Sequence, residues 1–283
     1  MEKNKLSKPF TDITDLKSVI ANQYQKQIKN FFGDEKRALR FLSGVVAAVQ
    51  RKPKLMECTA ESVINSFMIM AQLELMPSDV SGEAYVIPYG GVAQFQIGYQ
   101  GLVTLFYRSG VKKIVGEIIR ENDTYEMVDG ELTHKIDLRK SMEERGAPIG
   151  AFVRVMLPSG ETATKYMNAT DILAHGKKFS KAFDKPDSPW NPKNDPELWM
   201  WKKTVLKQAA KLVPKNEKLI QAIGEDNKDS VIGDRLDEST DIAPKLKLGA
   251  VLLKNEQTEY AQSDEEKVIE VESPTVGDAP TGK

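Results

Sequence analysis

The sequence YVIPYGGVAQFQIGYQ spans residues 85–100 and decides the fold class. Its first five residues favour a strand, and the glycines at 90–91 favour a turn. Over residues 92–99 apolar side chains alternate with Gln94 and Gln96, which is the period of a half-buried strand. The stretch therefore predicts an antiparallel hairpin rather than a helix, with amide side chains along one of its faces.

Further strands and helices are predicted after this hairpin. Short apolar runs are separated there by Asp129-Gly130 and by Ser159-Gly160, and Asp-Gly is a typical dipeptide of tight hairpin turns. The predicted elements are a helix over 102–108, strands over 111–121 and 125–134, a strand pair over 152–157 and 162–166, and a helix over 170–179.

Helical periodicity dominates the remaining folded segments. Apolar residues recur every three to four positions over 15–32, over a helix that Asp34 can cap and over one that Thr59 can cap. A last strong helix is predicted over 196–213, with Asp195 as its cap. Consecutive helices followed by consecutive hairpins indicate an α+β fold, an antiparallel β-hairpin sheet with packed helices, rather than an alternating α/β fold.

Charge is divided unevenly along the chain. The formal net charge is −1, but residues 1–224 carry 33 basic and 26 acidic side chains, whereas residues 225–283 carry 7 basic and 15 acidic ones. Apolar residues also thin out after residue 224, which is typical of disorder. We predict a folded core over 1–224 and an acidic, mostly disordered tail over 225–283, with the apolar segments 247–253 and 268–271 as candidate docking sites for a partner.

A basic body with an acidic tail recurs among proteins that bind polyanions. An ordinary body with a solubilising tail explains the same charge distribution equally well. Composition therefore permits a nucleic-acid-binding protein and does not by itself demonstrate one.

The cellular compartment is indicated by cysteine content and hydropathy. Cys58 is the single cysteine, so no intramolecular disulfide can form. No apolar run approaches the roughly 20 residues that cross a bilayer, and the first ten residues lack the apolar stretch of a signal peptide. We expect a cytoplasmic protein that is not associated with a membrane.

Catalytic motifs are missing from the 283 residues. There is no complete Gly-x-x-x-x-Gly-Lys-Ser/Thr loop for nucleotide phosphates, no His-Glu-x-x-His and no paired-cysteine zinc spacing. Carboxylates are plentiful, so a metal-dependent nuclease stays open as an alternative, with Glu117, Glu121 and Asp123 coming nearest to a strand-borne set. We expect a binding protein rather than an enzyme.

Lysines recur on one face of the helix predicted over 196–213. Lys203, Lys207 and Lys211 are spaced by four residues and have no carboxylate four positions away, so their ammonium groups could follow a row of phosphates. Lys202 is predicted on the apolar side, where an unpaired charge is costly. The alternative is a solvated lysine face, on which lysine replacements change stability little.

Two other segments combine aromatic, amide and basic residues. Gln94, Gln96 and Gln100 are interleaved with Phe95 and Tyr99, and amides can bind base edges while aromatic rings stack on bases. Basic residues follow at Arg108, Lys112 and Lys113, and a second basic–aromatic cluster holds Lys177, Lys178 and Lys181 around Phe179. Gly98 and Gly101 are predicted to let the backbone approach a ligand. The alternative is a half-buried hairpin with a polar face.

Several blocks of sequence, in this order, resemble the RecT/Redβ family of phage single-strand annealing proteins, most closely its RecT branch. The blocks are YVIPY at 85–89, QFQIGYQGL at 94–102, RSG at 108–110, SPW at 188–190, MWKKT at 200–204 and KLVP at 211–214. The likeness covers roughly residues 12–223 and leaves out the tail. The order and spacing of the blocks are more specific than any one of them.

The resemblance implies that the core over 1–224 binds DNA, anneals complementary single strands without ATP for homologous recombination, and assembles into rings or helical filaments. It implies a phage 5′-to-3′ exonuclease and the host single-strand-binding protein as partners. No cofactor is expected to be required, with Mg²⁺ as a modulator of DNA binding. An alternative is a protein that coats or packages nucleic acid without annealing it. The predicted DNA-binding residues are Gln94, Gln96, Tyr99, Gln100, Arg108, Lys112, Lys113, Lys177, Lys178, Lys181, Lys202, Lys203, Lys207 and Lys211.

Overall fold

The computed structural model describes residues 7–77, 81–214 and 216–231. Its α-helices are α1 (Ile13–Val19), α2 (Gln25–Phe32), α3 (Glu35–Arg51), α4 (Ala60–Gln72), α5 (Tyr99–Arg108), α6 (Ala169–Phe179), α7 (Trp199–Ala209) and α8 (Glu217–Val231). A π-helical segment, Ile20–Tyr24, joins α1 to α2, and 3-10 turns lie at Pro53–Glu57 and Ala210–Leu212. The strands are β1 (Ala84–Tyr89), β2 (Val92–Ile97), β3 (Lys113–Arg120), β4 (Thr124–Val128), β5 (Glu131–Lys135), β6 (Pro148–Met156) and β7 (Thr162–Asn168).

The ends of the first helices follow from local chemistry. Asp12 and Asp34 accept backbone N–H groups from the first turns of α1 and α3 through their side-chain oxygens. Gly33 ends α2 with a φ of 60°, a left-handed conformation that glycine adopts without strain. The boundary between α2 and α3 is therefore determined by two adjacent residues, and the predicted cap at Asp34 is confirmed.

The strands form three separate antiparallel sheets. The pair β1–β2 makes one, β3–β6–β7 makes a second, and β4–β5 makes a third. Asp129 and Gly130 turn the β4–β5 hairpin with φ values of 50° and 83°. The α+β class and the hairpins at both turn dipeptides are confirmed, and the single predicted sheet is divided into three.

One large hydrophobic core joins the helices to two of these sheets. Its most completely buried large side chains include Phe41 of α3, Phe95 of β2 and Phe106 of α5. Buried residues of α7 and α8 belong to the same cluster, among them Val205 and Leu219. Because burial of such side chains contributes most of the folding free energy, α7 and α8 are integral parts of the folded body.

The predicted helix over 196–213 is shorter than expected at both ends. The α-helix begins at Trp199, because Leu198 adopts a left-handed φ of 55° and buries its side chain. Asp195 still contributes a cap, since its Oδ2 accepts the Met200 N–H at 3.0 Å. At the other end, Lys211 lies in the following 3-10 turn rather than in α7.

The predicted boundary between residues 224 and 225 falls inside α8. Residues 225–227 are half-buried, and Asp226 contacts α7 directly. A chain cut after Gly224 would lose this part of the helix and its contact with α7. Residues 232–283, which include the predicted disorder and the apolar segments 247–253 and 268–271, lie outside the described residues.

Within the described ranges, no helix combines the length and hydropathy needed to span a membrane.

Candidate nucleic-acid interface

A cleft of about 550 Å³ opens between the β1–β2 hairpin and the helices α6, α7 and α8. The first turn of α5 and the loop that follows α6 complete its walls. Seven of the predicted DNA-binding residues line it, and they come from four separate segments of the chain: Gln94, Gln96, Tyr99, Gln100, Lys181, Lys203 and Lys207.

One wall of the cleft carries aromatic rings and amides. The Tyr99 and Trp199 rings meet edge to face with centroids 5.0 Å apart, and Trp199 is 41% exposed. Gln94 and Gln96 line the same cleft from β2, because the alternation of the strand directs Phe95 into the core. Stacking surface and hydrogen-bonding groups are thus available to one ligand.

Two lysines of α7 and an acidic residue of α8 form a charged group in the same cleft. Lys207 Nζ lies 2.6 Å from Asp226 Oδ2, and Lys203 Nζ lies 3.7 Å from Asp226 Oδ1. Lys207 Nζ also donates to Asn227 Oδ1 at 2.7 Å. The side chains of Lys203, Lys207 and Asp226 are only 15%, 11% and 7% exposed. The alternative of a solvated lysine face is therefore wrong for Lys203 and Lys207, because they are paired with a carboxylate from α8.

Burial and neighbouring charges shift the pKa values of this charged group and of the nearby His175. Burial lowers the pKa of Lys203, and the nearby charge of Asp226 opposes that shift. Burial alone would raise the pKa of Asp226, but Lys203 and Lys207 hold it below its ordinary value. Burial, followed by the charges of Lys207, Lys211 and Lys178, lowers the pKa of His175. Two ammonium groups stand against one carboxylate in this charged group, and the excess of positive charge favours anions.

Cations also lie over aromatic rings around the cleft. Lys202 Nζ is 4.3 Å from the Trp199 ring centroid, and Lys181 Nζ is 5.6 Å from that of Tyr89. The sequence predicts Lys202 on the apolar side of the helix as an unpaired charge. In the structure its ammonium group instead lies over the Trp199 ring. Both ammonium groups thus lie against aromatic rings that line the cleft.

A sequence profile of the RecT family matches residues 39–244, which is more than half of the chain. The chain belongs to the RecT family. Since the match reaches residue 244, it extends into the segment that the predicted resemblance left out.

Two relatives of this RecT-family chain have curated names. The uncharacterized protein YqaK of Bacillus subtilis (strain 168) is 35% identical over 173 residues, which are 61% of this chain and 58% of YqaK. Protein RecT of Escherichia coli (strain K12) is 26% identical over 211 residues, 71% of this chain and 76% of RecT. The chain thus matches less than two thirds of the length of YqaK.

Arg108 has a different environment from the one predicted for this RecT-family chain. Its guanidinium donates to the carbonyl oxygens of Leu73 at 2.9 Å and Glu74 at 3.2 Å, at the end of α4. It thereby satisfies carbonyl groups that a helix end leaves without intrahelical donors. Arg108 does not line the cleft, and its hydrogen bonds indicate a structural role.

Several predicted basic residues also lie away from the cleft lining. Lys112 and Lys113 are exposed where β3 begins, and Lys211 is exposed after α7. Lys177 and Lys178 are exposed on the last turn of α6. None of these five lysines lines the cleft, but Lys178 and Lys211 lie near enough to His175 for their charges to act on it together with that of Lys207.

The close approach predicted at Gly98 and Gly101 is made to protein rather than to a ligand. A Cβ added to Gly98 would lie 1.9 Å from the Gly82 carbonyl oxygen, and one added to Gly101 would lie 2.1 Å from that of Glu83. Both glycines are needed because residues 82–83, just before β1, pack against the turn before α5 and against the first turn of that helix.

Sequence reasoning missed several residues of the cleft. Tyr85 and Tyr89 line it from β1 although they were cited only for the family likeness, and Trp199 directly precedes the quoted MWKKT block. Asp226 was assigned to the tail on the basis of composition. Its signal was weak, because one acidic residue in an acidic segment does not reveal a partner 19 residues earlier.

Two of the three carboxylates considered for a nuclease, Asp123 and Glu121, are engaged in structural contacts. Asp123 accepts hydrogen bonds from Arg145, from His134 and from the Arg120 backbone N–H. Glu121 accepts the backbone N–H of Ala147 at 3.2 Å. Among the described residues there is no group of three or more histidine, cysteine or acidic side chains that could hold a metal ion.

Proposed function

We propose that this RecT-family chain binds single-stranded DNA in the cleft and anneals complementary strands without nucleotide hydrolysis. The observation that supports this most directly is the combination within one cleft of aromatic rings, amides and ammonium groups. Proteins that bind single strands combine a positively charged groove with aromatic platforms. A recombination role agrees with the family to which the chain belongs.

Each class of side chain would contribute a different contact. Ammonium groups of Lys181, Lys203 and Lys207 would neutralise phosphates and release counterions. The rings of Tyr99 and Trp199 would stack on bases, a contact worth about 1–3 kcal/mol per base. The glutamine amides would bind sugars or base edges. None of these contacts selects a particular sequence strongly, so Watson–Crick pairing would select the partner strand.

Annealing of this kind needs no chemical fuel. DNA stacking releases about 1.4 kcal/mol per base-pair step, so duplex formation is favourable once phosphate repulsion has been neutralised. The protein has to hold one strand with bases accessible to the second. We propose accordingly that no cofactor is required and that Mg²⁺ modulates binding by competing for phosphates.

The wider setting is part of the same proposal. Self-association into rings or filaments would align successive clefts along one strand. A 5′-to-3′ exonuclease would supply that strand, and a single-strand-binding protein of the host would deliver it, both in the cytoplasm. The annealed duplex would be the product that remains bound.

Replacement of Trp199 by alanine tests the stacking contact. We expect it to weaken binding to an oligothymidylate by about 1–3 kcal/mol at fixed salt concentration, because one base loses its platform. Tyr107→Ala is a matched control, since Tyr107 is 48% exposed on α5 but does not line the cleft. Fluorescence anisotropy of a labelled oligonucleotide measures both variants. Equal affinities of the two variants would contradict the proposed base platform.

A strand-annealing assay tests the function itself. Complementary oligonucleotides carrying a fluorophore and a quencher are mixed with the protein, with and without ATP. We expect the same acceleration over protein-free strands in both cases. An absolute requirement for ATP would reject the mechanism, and binding without acceleration would instead support a coating protein.

A further inference from the structure

We propose that Asp226 occupies, in the free chain, the seat of one DNA phosphate, and that a phosphodiester displaces its carboxylate when a strand enters the cleft. The proposal rests on the proposed function and adds to it an anion-binding subsite with an internal competitor. The phosphate seat is formed by Lys203, Lys207 and the backbone N–H of Ile97.

The phosphate seat holds its present occupant by both oxygens. Asp226 Oδ2 lies 2.6 Å from Lys207 Nζ, and Oδ1 accepts the Ile97 N–H at 3.0 Å while lying 3.7 Å from Lys203 Nζ. A phosphodiester likewise presents two non-bridging oxygens that share a single negative charge. The two ammonium groups and the amide therefore suit either anion, and charge-assisted hydrogen bonds of this type are the strong ones.

The charge of the phosphate seat explains why it must not stand empty. Two buried ammonium groups without a counter-charge would be costly, and one buried carboxylate offsets part of that cost. The carboxylate offsets only one of the two ammonium charges of the phosphate seat, so one positive charge is left in excess. An entering phosphate would take the place of Asp226 and give the two lysines a counter-charge again.

The position of Asp226 in α8 allows this exchange. Leu219 and Ala222, in the first half of the helix, are almost completely buried in the core. Residues 223–227 are half-buried, in contrast to Leu219 and Ala222. Parts of a helix with fewer buried contacts open at lower free energy than its packed parts. The turn that carries Asp226 could therefore withdraw while the first half of α8 stays in place.

A second observation in the same cleft points to an incompletely satisfied ligand-free state. The indole of Trp190 is 93% buried in the cleft wall, with its benzo edge against Gly176. Its Nε1–H finds no acceptor among the described residues. An unsatisfied buried donor costs about 1–3 kcal/mol. Opening of the cleft would expose this donor to solvent or to an oxygen of the incoming strand.

Asp226→Asn tests the phosphate seat with minimal change of shape. If Asp226 leaves the phosphate seat open in about one molecule in ten, the apparent affinity for DNA is about tenfold weaker than that of an open seat. We therefore expect Asp226→Asn, which lacks the competing charge, to bind DNA about tenfold more tightly than the unaltered chain. Affinity for a labelled oligothymidylate is measured at one salt concentration. Glu217→Gln is the matched control, because it removes the same charge from the exposed first turn of the same helix. We expect less than about a twofold change for it, since exposed charges at this distance are largely screened.

Hydrogen exchange of the unaltered chain provides an independent measurement if the asparagine variant folds poorly. Saturating oligothymidylate should reduce the protection of peptides within 223–231 and leave 217–222 unchanged. Protection that stays the same or rises over 223–231 in the DNA complex would overturn the exchange, as would equal affinities of Asp226→Asn and Glu217→Gln. Failure of the unaltered chain to bind the oligonucleotide would instead reject the proposed function.

Discussion

Lys207→Ala is expected to lower the free energy of unfolding by about 3 kcal/mol and to weaken binding of single-stranded DNA. The stability effect arises because Asp226 would remain buried with only the more distant Lys203 as a partner, and breaking a buried ion pair costs about 3–5 kcal/mol. The sequence by itself predicts almost no change in the free energy of unfolding, since an exposed lysine contributes little to stability. Urea denaturation at neutral pH measures the difference.

Lys211→Ala is the matched control for this prediction. Lys211 has the same spacing along the sequence but is exposed, so its loss should change stability by less than about 0.5 kcal/mol. Because Lys211 does not line the cleft, Lys211→Ala should weaken the binding of DNA less than Lys207→Ala does. Equal urea midpoints for the two variants would show that the Lys207–Asp226 pair is not a buried one in solution.

A double-mutant cycle separates the pair from its surroundings. Lys207→Ala combined with Asp226→Ala removes both charges and should be less destabilised than the sum of the single variants, because neither partner is left buried alone. The coupling should be about 1–3 kcal/mol if the pair is as close as the structure places it. Strictly additive effects would contradict the contact.

Asp123→Ala is expected to have an effect of similar or larger size, about 3–5 kcal/mol, in a different part of the fold. Asp123 is 1% exposed and accepts from Arg145 Nε at 2.8 Å and from Arg145 Nη2 at 2.7 Å. It also accepts from the Arg120 backbone at 3.0 Å and lies 2.9 Å from His134 Nε2. Its removal leaves a largely buried guanidinium without a partner and disconnects the β4–β5 hairpin from the end of β3.

A second carboxylate nearby gives the control for Asp123. Asp137 pairs with Arg139, but that arginine is 90% exposed, and exposed ion pairs contribute only about 0–1 kcal/mol. Asp137→Ala should therefore leave the urea midpoint close to that of the unaltered chain. If both alanine variants unfold at the same urea concentration, the interior position of Asp123 is incorrect.

The pH dependence of stability follows from the same carboxylate. Burial would raise the pKa of Asp123, but the hydrogen bonds from Arg145 and His134 hold it well below its ordinary value near 3.9. Because the folded pKa is the lower one, the stabilisation is fully present above about pH 4–5 and is lost as the pH falls further. The unaltered chain should lose stability over this acid range more steeply than Asp123→Ala, as urea titrations at several pH values can measure.

Much of the fold is determined by interactions close in sequence. Gly33 and Asp34 mark a helix end and a helix start because each acts through its own backbone conformation or through a group three residues away. Asp129-Gly130 makes a hairpin because a tight turn needs positive φ at two successive positions. The alternation over β2 likewise separates Phe95 from Gln94 and Gln96 without reference to the rest of the chain.

The tertiary structure decided what the charged residues contact. Periodicity placed Lys203 and Lys207 on one helix face, but the carboxylate that pairs with them comes from 19 to 23 residues further along the chain. Arg108 has the sequence context of a phosphate ligand, yet it caps a helix end 34 and 35 residues before it. The helix α7 begins at Trp199, three residues later than the sequence predicts, because burial of the Leu198 side chain outweighs the local preference for helix. Backbone sterics and capping act over a few residues, whereas the partner and burial of a charge depend on which distant segments the packed core brings together.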